Sequence, residues 1–349
     1  MSLLLDTLKA PHIVENFNDA DWQILLSQAR MANLIGRLAY RLFDTEKSKD
    51  IPEFVHWQLI SAQKVALRQI QQARCELSSL SKLLDQRCQR WVLLKGAAYI
   101  ARGLSVADGR SFSDIDILVD KTSIKRVEFS LLGEGWQRTQ IDDYDDRYYR
   151  QWMHEIPPLK HSENRTVLDV HHNILPLTNR DCPEPERFET QRVELEDIGT
   201  LLTLTAEDLV IHSACHLFTE SEFHNGLRDL SDLDMLFRHF STANDHFVES
   251  VISRAGKLGL RGYVDLALYY CQKLLDTPIN KQQRPPGAVL NFAFRHIFTP
   301  NHKSSRTWKR HIAATILYWR GHLLRMPLRL LIPHLMRKSF ARLQQEKPV

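Results

Sequence analysis

Residues 91–119 place the strongest constraint on the fold of this 349-residue chain. The segment opens with the apolar run 91–94, turns at Lys95 and Gly96, and continues into helix-forming residues 97–101. A polar loop follows, and a second apolar run, which begins with acidic side chains, predicts a second strand. This order of strand, glycine turn, short helix, loop and strand indicates a small sheet with a helix packed on it.

Three aspartates lie on predicted strands of this region. Asp114 and Asp116 are two residues apart, so their side chains point to the same face of one strand. Adjacent carboxylates repel each other unless a cation lies between them, and hard oxygen ligands at this spacing suit Mg²⁺. Asp169, in the apolar run 167–171, adds a third carboxylate if its strand is a neighbour. We therefore predict a site for two Mg²⁺ ions, an arrangement that assists in-line attack at phosphorus.

The turn at Lys95 and Gly96 is the predicted binding site for the phosphates of a nucleotide. Glycine at a strand-to-helix turn lets the backbone approach a ligand, and the first amides of the helix can bind an anion. Arg110 and Ser113, just ahead of the aspartates, would contact the same phosphates. For Lys95, an exposed strand end is the alternative role. The predicted nucleotide-binding residues are Lys95, Gly96, Arg110 and Ser113, and the predicted catalytic and metal-binding residues are Asp114, Asp116 and Asp169.

Three motifs carry a family resemblance: LLKGAAYIARGL, RSFSDIDILV and LDVHHNIL. Their order resembles the nucleotidyltransferase superfold of DNA polymerase beta and kanamycin nucleotidyltransferase. More closely, they are similar to a bacterial family described as uncharacterised nucleotidyltransferases, over roughly residues 20–240. The resemblance implies an α+β fold, in which a small mixed sheet of the polymerase-beta type lies between N-terminal and C-terminal helical regions.

The resemblance also implies an activity. In such an enzyme, Asp114 and Asp116 would bind two Mg²⁺ ions that bridge an NTP, with ATP favoured, and Asp169 would help to deprotonate the acceptor. An NMP, AMP in the favoured case, would pass to an unknown hydroxyl, and pyrophosphate would leave. The chain departs from the superfamily in the turn, where Gly96-Ala97 replaces Gly-Ser or Gly-Gly. That departure keeps two other functions open, a nucleotide-binding regulatory module without turnover and a membrane-associated interaction protein.

Four regions are expected along the chain. Residues 1–90 form an N-terminal helical region that ends in a long amphipathic helix over 54–86, and residues 91–200 form the catalytic domain. Residues 201–300 form a helical domain on the substrate side, and residues 301–349 form basic amphipathic helices. Within the second region, the acidic and aromatic run 142–149 is expected to be an exposed loop or hairpin.

Several polar residues other than the three aspartates are candidates with a structural alternative. His171 shares a strand face with Asp169, and we expect a hydrogen-bonded or core histidine there rather than a metal ligand. His212 and His216, at helical i, i+4 spacing, have no evident third zinc ligand, so a helix that faces the cleft is the better interpretation. His216, Arg228 and Asp229 are candidate substrate contacts, although a structural network of salt bridges formed by Arg228, Asp229 and Asp232 is the favoured interpretation.

Composition places the chain among ordinary globular proteins, with 43% hydrophobic and 25% charged residues. The N-terminus lacks the long apolar core of a secretory signal, and the five cysteines contain no CxxC pair. These features predict a reduced cytoplasmic chain with no structural zinc.

Residues 302–349 are strongly basic and rich in apolar and aromatic residues. One acid, Glu346, accompanies eleven basic residues: Lys303, Arg306, Lys309, Arg310, Arg320, Arg325, Arg329, Arg337, Lys338, Arg342 and Lys347. The arginines interrupt every apolar run, so no uninterrupted apolar run is long enough to span a bilayer. Binding to an anionic membrane surface, packing on the protein body and, less favoured, contact with nucleic acid are all consistent with it. The expected location is therefore the cytoplasm, with the inner face of the membrane as a site of attachment.

Overall fold

A computed structural model describes residues 2–44, 51–280, 282–333 and 337, which form thirteen α-helices around one seven-stranded sheet. The helices are α1 (Leu3–Lys9), α2 (Asp19–Met31), α3 (Ile35–Phe43), α4 (Glu53–Leu84), α5 (Lys95–Ala101), α6 (Ile124–Gly133), α7 (Asp143–Trp152), α8 (Ala206–Thr219), α9 (Gly226–Ala243), α10 (Phe247–Leu258), α11 (Arg261–Leu275), α12 (Ala288–Ile297) and α13 (Trp308–Arg325). The strands are β1 (Trp91–Leu93), β2 (Asp114–Val119), β3 (Trp136–Arg138), β4 (Leu159–His161), β5 (Val167–His171), β6 (Thr190–Leu195) and β7 (Gly199–Leu204).

The sheet is mixed, and its strand order is β3-β4-β5-β2-β1-β7-β6. β2 is the central strand, and it pairs antiparallel with β1 and parallel with β5. β1 runs parallel to β7, and the remaining pairs are antiparallel. The helices before and after the sheet share one continuous apolar core with it. The predicted α+β fold, with helical regions on both sides of a mixed sheet in sequence, is confirmed.

The long amphipathic helix predicted before the sheet is α4. Its buried apolar residues recur at helical spacing, so one side faces the core and the other faces water: Val55, Leu59, Ala66, Ala73, Leu77, Leu80 and Leu84. At its end, the indole nitrogen of Trp91 donates a hydrogen bond to Asp85, at 2.7 Å. That bond joins the helix end to the first residue of β1, and so places the strand that leads into the glycine turn.

Helix α3 is in backbone contact with the loop that leads into β2. A Cβ atom added to Gly36 would lie 2.4 Å from the carbonyl oxygen of Gly109, and Gly109 has a φ of +66°. A side chain at either position would push the helix away from the loop, and at Gly109 it would also strain the backbone. Arg37 strengthens the contact by donating to the carbonyl oxygen of Val106, at 2.6 Å. The N-terminal helices therefore hold the loop that carries Arg110.

The expectation of a loop or hairpin over residues 142–149 is wrong, because these residues begin α7. Asp142 caps this helix, since its carboxylate accepts a hydrogen bond from the amide of Asp145, at 2.7 Å. Further acids in the first turn interact favourably with the helix dipole. Arg150 lies one helical turn after Asp146 and forms salt bridges with Asp146 and with Glu128 of α6. An acidic run that suggests a solvated loop is here the N-terminus of a helix.

Helix α13, the start of the basic region, packs on the protein body. Ala313, Leu317 and Gly321 are buried, and a Cβ atom on Gly321 would lie 2.6 Å from Cα of Ser221. Arg320 donates to the carbonyl oxygen of Phe218, and Arg325 pairs with Glu220, at 3.2 Å. The part of the predicted region at 334–336 and 338–349 lies outside the described residues. In the part of the chain described, no helix combines the length and apolar character needed to cross a membrane.

Candidate functional site

The three aspartates predicted from the sequence come together on β2 and β5. In the parallel pairing of these strands, Asp116 lies directly opposite Asp169, and Asp114 lies opposite Val167. Paired residues on neighbouring strands point to the same face and lie about 5 Å apart. Because Asp114 is two residues from Asp116, its side chain shares that face as well. The topology thus brings three carboxylates to one face at the centre of the sheet.

The negative charge of Asp116 is largely balanced by two neighbouring side chains. Asp116 is 3% exposed, and its Oδ1 atom lies 2.8 Å from Nζ of Lys95 and 3.0 Å from Nε2 of His171. Burial opposes ionisation, but Lys95 and His171 hold the pKa of Asp116 well below its ordinary value. Burial also opposes the charge of Lys95, yet the carboxylates, Asp116 first, raise its pKa above the ordinary lysine value. Asp116 and Lys95 are therefore both charged.

Asp169 has the opposite electrostatic environment. Its burial, followed by the charges of Asp116, Glu155 and Asp114, raises its pKa to about 8. Its Oδ1 atom is buried without a hydrogen-bond partner, which costs free energy unless a cation or donor satisfies it. Burial and Asp116 also raise the pKa of Asp114. Crowded oxygen ligands, one of them unsatisfied, are the donor set that a hard divalent cation requires, so these residues fit Mg²⁺.

The turn between β1 and α5 has an unusual backbone. Lys95 adopts a φ of +41°, a left-handed conformation that costs free energy for any residue other than glycine. The conformation accompanies the contact of its ammonium group with Asp116. A Cβ atom on Gly96 would lie 2.9 Å from Nη1 of Arg110 and from the ring of Phe112. Glycine is needed there because the guanidinium and the ring pack directly on the turn.

Arg110 and Ser113 lie between this turn and the aspartates. Nε of Arg110 donates to Asp232, at 2.8 Å, and its guanidinium lies 5.0 Å from the ring centre of Phe112. Asp232 also pairs with Arg37, at 2.7 Å, and all three side chains are buried. Ser113 hydrogen-bonds the side chain of Asp114. Arg110 is thus held in place by α9 while its guanidinium faces the turn.

A cleft of about 270 Å³ separates the sheet from α8, α9 and the loop between them. The predicted residues in its wall are Lys95, Arg110, Ser113, Asp114 and Asp116. Gly96 and Asp169 lie beside the cleft and do not line it. A groove of about 1320 Å³ near α10 and α11 is larger, but none of the aspartates predicted for the site lines it. We place the site in the smaller cleft because the clustered carboxylates and cations are there.

The helical wall of the cleft contains His216, Arg228 and Asp229, the three candidate contacts from this region. Nε2 of His216 lies 3.2 Å from Glu220, whereas Arg228 pairs with Asp229 at 2.8 Å. Both interpretations of Arg228 and Asp229 are therefore compatible with the geometry, since they form a salt bridge and also line the cleft.

Sequence reasoning did not find Glu155, which completes the surroundings of the aspartates. Nδ1 of His171 lies 3.3 Å from Glu155, while its Nε2 atom contacts Asp116, so His171 bridges two carboxylates. Burial opposes its charge, but Asp116 and Glu155 raise the pKa of His171. The buried, hydrogen-bonded histidine expected at this position is confirmed. The position of His171 two residues after Asp169 on one strand predicts that both side chains share a face. Glu155 comes from another segment, and no local pattern places it near them.

Comparison with known proteins supports a function in nucleotide chemistry. The model of one family, described as an uncharacterised nucleotidyltransferase, matches residues 18–276. The match contains the whole sheet, the cleft and the helices from α2 to α11. A search of curated proteins finds no match to the chain. The family resemblance of the three motifs is confirmed, and it makes an NTP the substrate class, with the acceptor unknown. Because the match covers most of the sequence, this chain is an enzyme that belongs to the uncharacterised nucleotidyltransferase family.

Proposed function

We propose that the protein transfers an NMP, AMP from ATP, to a hydroxyl acceptor with release of pyrophosphate and in the presence of Mg²⁺. The observation that carries this proposal is the alignment of Asp116 with Asp169 on adjacent strands, next to Asp114 and at the edge of a cleft lined by cations. Bound Mg²⁺ at these carboxylates would neutralise the charge that develops on the phosphates. Side chains of the protein would bind the phosphates and accept the proton of the acceptor.

The cationic residues of the cleft suit the triphosphate. Lys95 and Arg110 both face the turn between β1 and α5, where Gly96 leaves no side chain in the way. Their positions are fixed by Asp116 and Asp232, so little conformational entropy is lost when phosphates bind. We assign Lys95, Gly96, Arg110 and Ser113 to the phosphates. This preorganisation compensates for the serine that superfamily members have and this turn lacks.

The transfer itself forms one bond and breaks one. The acceptor oxygen bonds to the α-phosphorus, the bond from this phosphorus to the bridging oxygen breaks, and pyrophosphate leaves with the electron pair. We assign the acceptor proton to Asp169, which would take it directly or through the cation that it would hold, because this carboxylate lies opposite Asp116 beside the cleft. The helical wall with His216 and Glu220 lies across the cleft, where an acceptor would bind.

The test combines nucleotide binding with turnover. ATP, GTP, CTP and UTP are titrated calorimetrically into the full-length protein with and without Mg²⁺, and pyrophosphate is assayed with sugar, lipid-linked, protein and RNA acceptors. We expect ATP binding that requires Mg²⁺, and pyrophosphate release with one acceptor class. Binding without release in any acceptor mixture would instead support a regulatory module. If no nucleotide binds, the proposed function is wrong.

We further propose that the exposed side of α13 binds an anionic membrane surface, such as the inner face of the cytoplasmic membrane. Four apolar residues, Trp308, Ile312, Trp319 and Leu323, fall in a narrow stripe along the helix and are each more than 40% exposed. Exposed basic residues, including Lys303, Arg306 and Lys309, lie near its start. An apolar stripe with flanking cations is typical of a helix that lies in a lipid interface.

Vesicle co-sedimentation tests the membrane proposal. We expect the native protein to sediment with vesicles that contain phosphatidylglycerol and to be released from them by high salt. It should not sediment with neutral vesicles. The double variant Trp308→Ala/Trp319→Ala should lose most of the binding. Trp57→Ala is the control, since Trp57 has an exposure between those of Trp308 and Trp319 but lies on α4. Equal sedimentation of the double variant and the control would show that the stripe is not the membrane contact.

A further inference from the structure

A second group of metal-binding side chains lies beside the three aspartates, formed by His154, Glu155 and His171. His154 and Glu155 follow α7, and Glu155 forms an antiparallel bridge with His171 of β5. The amide of His172 donates to the carbonyl oxygen of His154 at 2.7 Å, and the amide of Ile156 donates to that of Val170 at 3.1 Å. Backbone hydrogen bonds therefore join the segment 154–156 to the segment 170–172. The chain bends at His154, and the side chains of His154, Glu155 and His171 lie close together.

The side-chain atoms of this group have separations suited to a metal ion. One nitrogen or oxygen from each residue lies within 4.8 Å of the others. Nδ1 of His171 and Oε2 of Glu155 are 3.3 Å apart, which is the spacing of about 3.3 Å between ligands of a tetrahedral ion with bonds of ~2.0–2.1 Å. The rings of His154 and His171 stack with centres 5.2 Å apart. His154 therefore supplies the third donor atom of the set.

Unsatisfied buried nitrogens indicate that the group serves more than a salt bridge. The side chain of His171 is 4% exposed, and the Nδ1 atoms of both His154 and His171 are buried without a hydrogen-bond partner. Such atoms are rare in folded proteins because each costs free energy. An ion pair between His171 and Glu155 would account for one of these nitrogens. It leaves that of His154 unexplained, whereas a cation between them satisfies both.

We propose that His154, Glu155 and His171 bind one divalent transition-metal ion, with Zn²⁺ as the reference ion, at a site separate from the cation site of Asp114, Asp116 and Asp169. Two imidazole nitrogens and one carboxylate oxygen suit Zn²⁺ and its neighbours, whereas Mg²⁺ prefers oxygen ligands alone. Three protein ligands leave a fourth position open to water or to a substrate group.

This site would also position Asp116. With the metal on Nδ1 of His171, the proton of the neutral ring lies on Nε2, which then donates to Asp116 at the observed 3.0 Å. Occupancy of the histidine site would thereby fix the orientation of one carboxylate of the aspartate cluster. The inference concerns metal binding alone and stands independently of nucleotide transfer.

The experiment uses the full-length protein after treatment with a chelator, with Zn²⁺ alone as the probe. Calorimetric titration measures affinity and stoichiometry, and X-ray absorption at the zinc edge counts imidazole ligands. We expect one tight Zn²⁺ per chain with two imidazoles. Removing a ligand in His154→Gln or Glu155→Gln should weaken binding by at least about 100-fold, the upper end of losses from outer-sphere changes. Asp114→Asn and the exposed His246→Gln should bind Zn²⁺ as the native protein does.

Several outcomes would overturn the proposal. These are failure of the native protein to bind Zn²⁺, an absorption spectrum with no imidazole, and unchanged affinity in both His154→Gln and Glu155→Gln. A loss in Asp114→Asn as large as in these two variants would assign the Zn²⁺ to the aspartates. Circular dichroism verifies that each variant is folded. Should a ligand variant unfold, the count of imidazoles in the native protein still decides the question.

Discussion

Asp116→Asn is expected to lower pyrophosphate release by about 10³-fold or more, equivalent to roughly 4 kcal/mol of transition-state stabilisation. Asp116 is the most enclosed of the three aspartates, and it is ionised because Lys95 and His171 contact the same oxygen. Asparagine keeps the shape of the side chain but removes its charge. The variant therefore loses a ligand for a hard cation and the partner that holds Lys95 in the turn.

The measurement is the rate of pyrophosphate release per folded protein, together with Mg²⁺-dependent ATP binding. Asp265→Asn is the matched control, because Asp265 is an exposed partner of Arg261 and does not line the cleft. The control should retain native turnover. Turnover of Asp116→Asn within about tenfold of the native rate would contradict the assigned role, since a lost charge in a metal site costs several kcal/mol.

Asp232→Asn is expected to lower the free energy of unfolding by about 3–5 kcal/mol, which is typical when one partner of a buried ion pair is removed. Asp232 contacts Arg37 and Arg110 at 2.7 and 2.8 Å, and all three side chains are less than 10% exposed. The variant leaves two guanidinium groups buried with one neutral partner. It also loosens the contact between α3 and the loop that leads into β2, so the position of Arg110 in the cleft is affected.

This loss should depend on pH. Burial opposes the ionisation of Asp232, but Arg110 and Arg37 lower its pKa below the ordinary value of 3.8. A lowered carboxyl pKa contributes stability that is present above the unfolded value and is lost as the pH falls through the folded value. The native protein and the variant should therefore differ fully at pH 7, and the difference in stability should shrink as the pH falls below about 4.

Chemical denaturation at pH 7 and at pH 3 measures both effects. Asp265→Asn again serves as the control, because its exposed salt bridge at 3.5 Å should contribute less than about 1 kcal/mol. An Asp232→Asn protein within about 1 kcal/mol of the native stability at pH 7 would show that the arginines find other partners and that the ion pairs of Arg37, Asp232 and Arg110 are not a structural anchor.

Parts of the fold follow from local sequence patterns. Apolar runs predicted β1, β2 and β5, and the recurrence of Leu59, Leu77 and Leu84 predicted α4, because a buried strand or helix face requires such spacing. The acidic charges before Arg150 are typical of a solvated loop. The capping bond from Asp142 and the ion pairs of Arg150 stabilise a helix there instead, and a local pattern does not specify those partners.

The sequence alone determined the family, the α+β class and the placement of Asp114 and Asp116 on one strand face, because side-chain alternation along a strand is a local property. The tertiary structure alone decided that Asp169 lies opposite Asp116, that Glu155 and His171 meet beside them, and that Arg37 shares Asp232 with Arg110. These contacts join segments far apart in the chain. Strand order and the packing of distant helices decide them, and neither is encoded in any one stretch of residues.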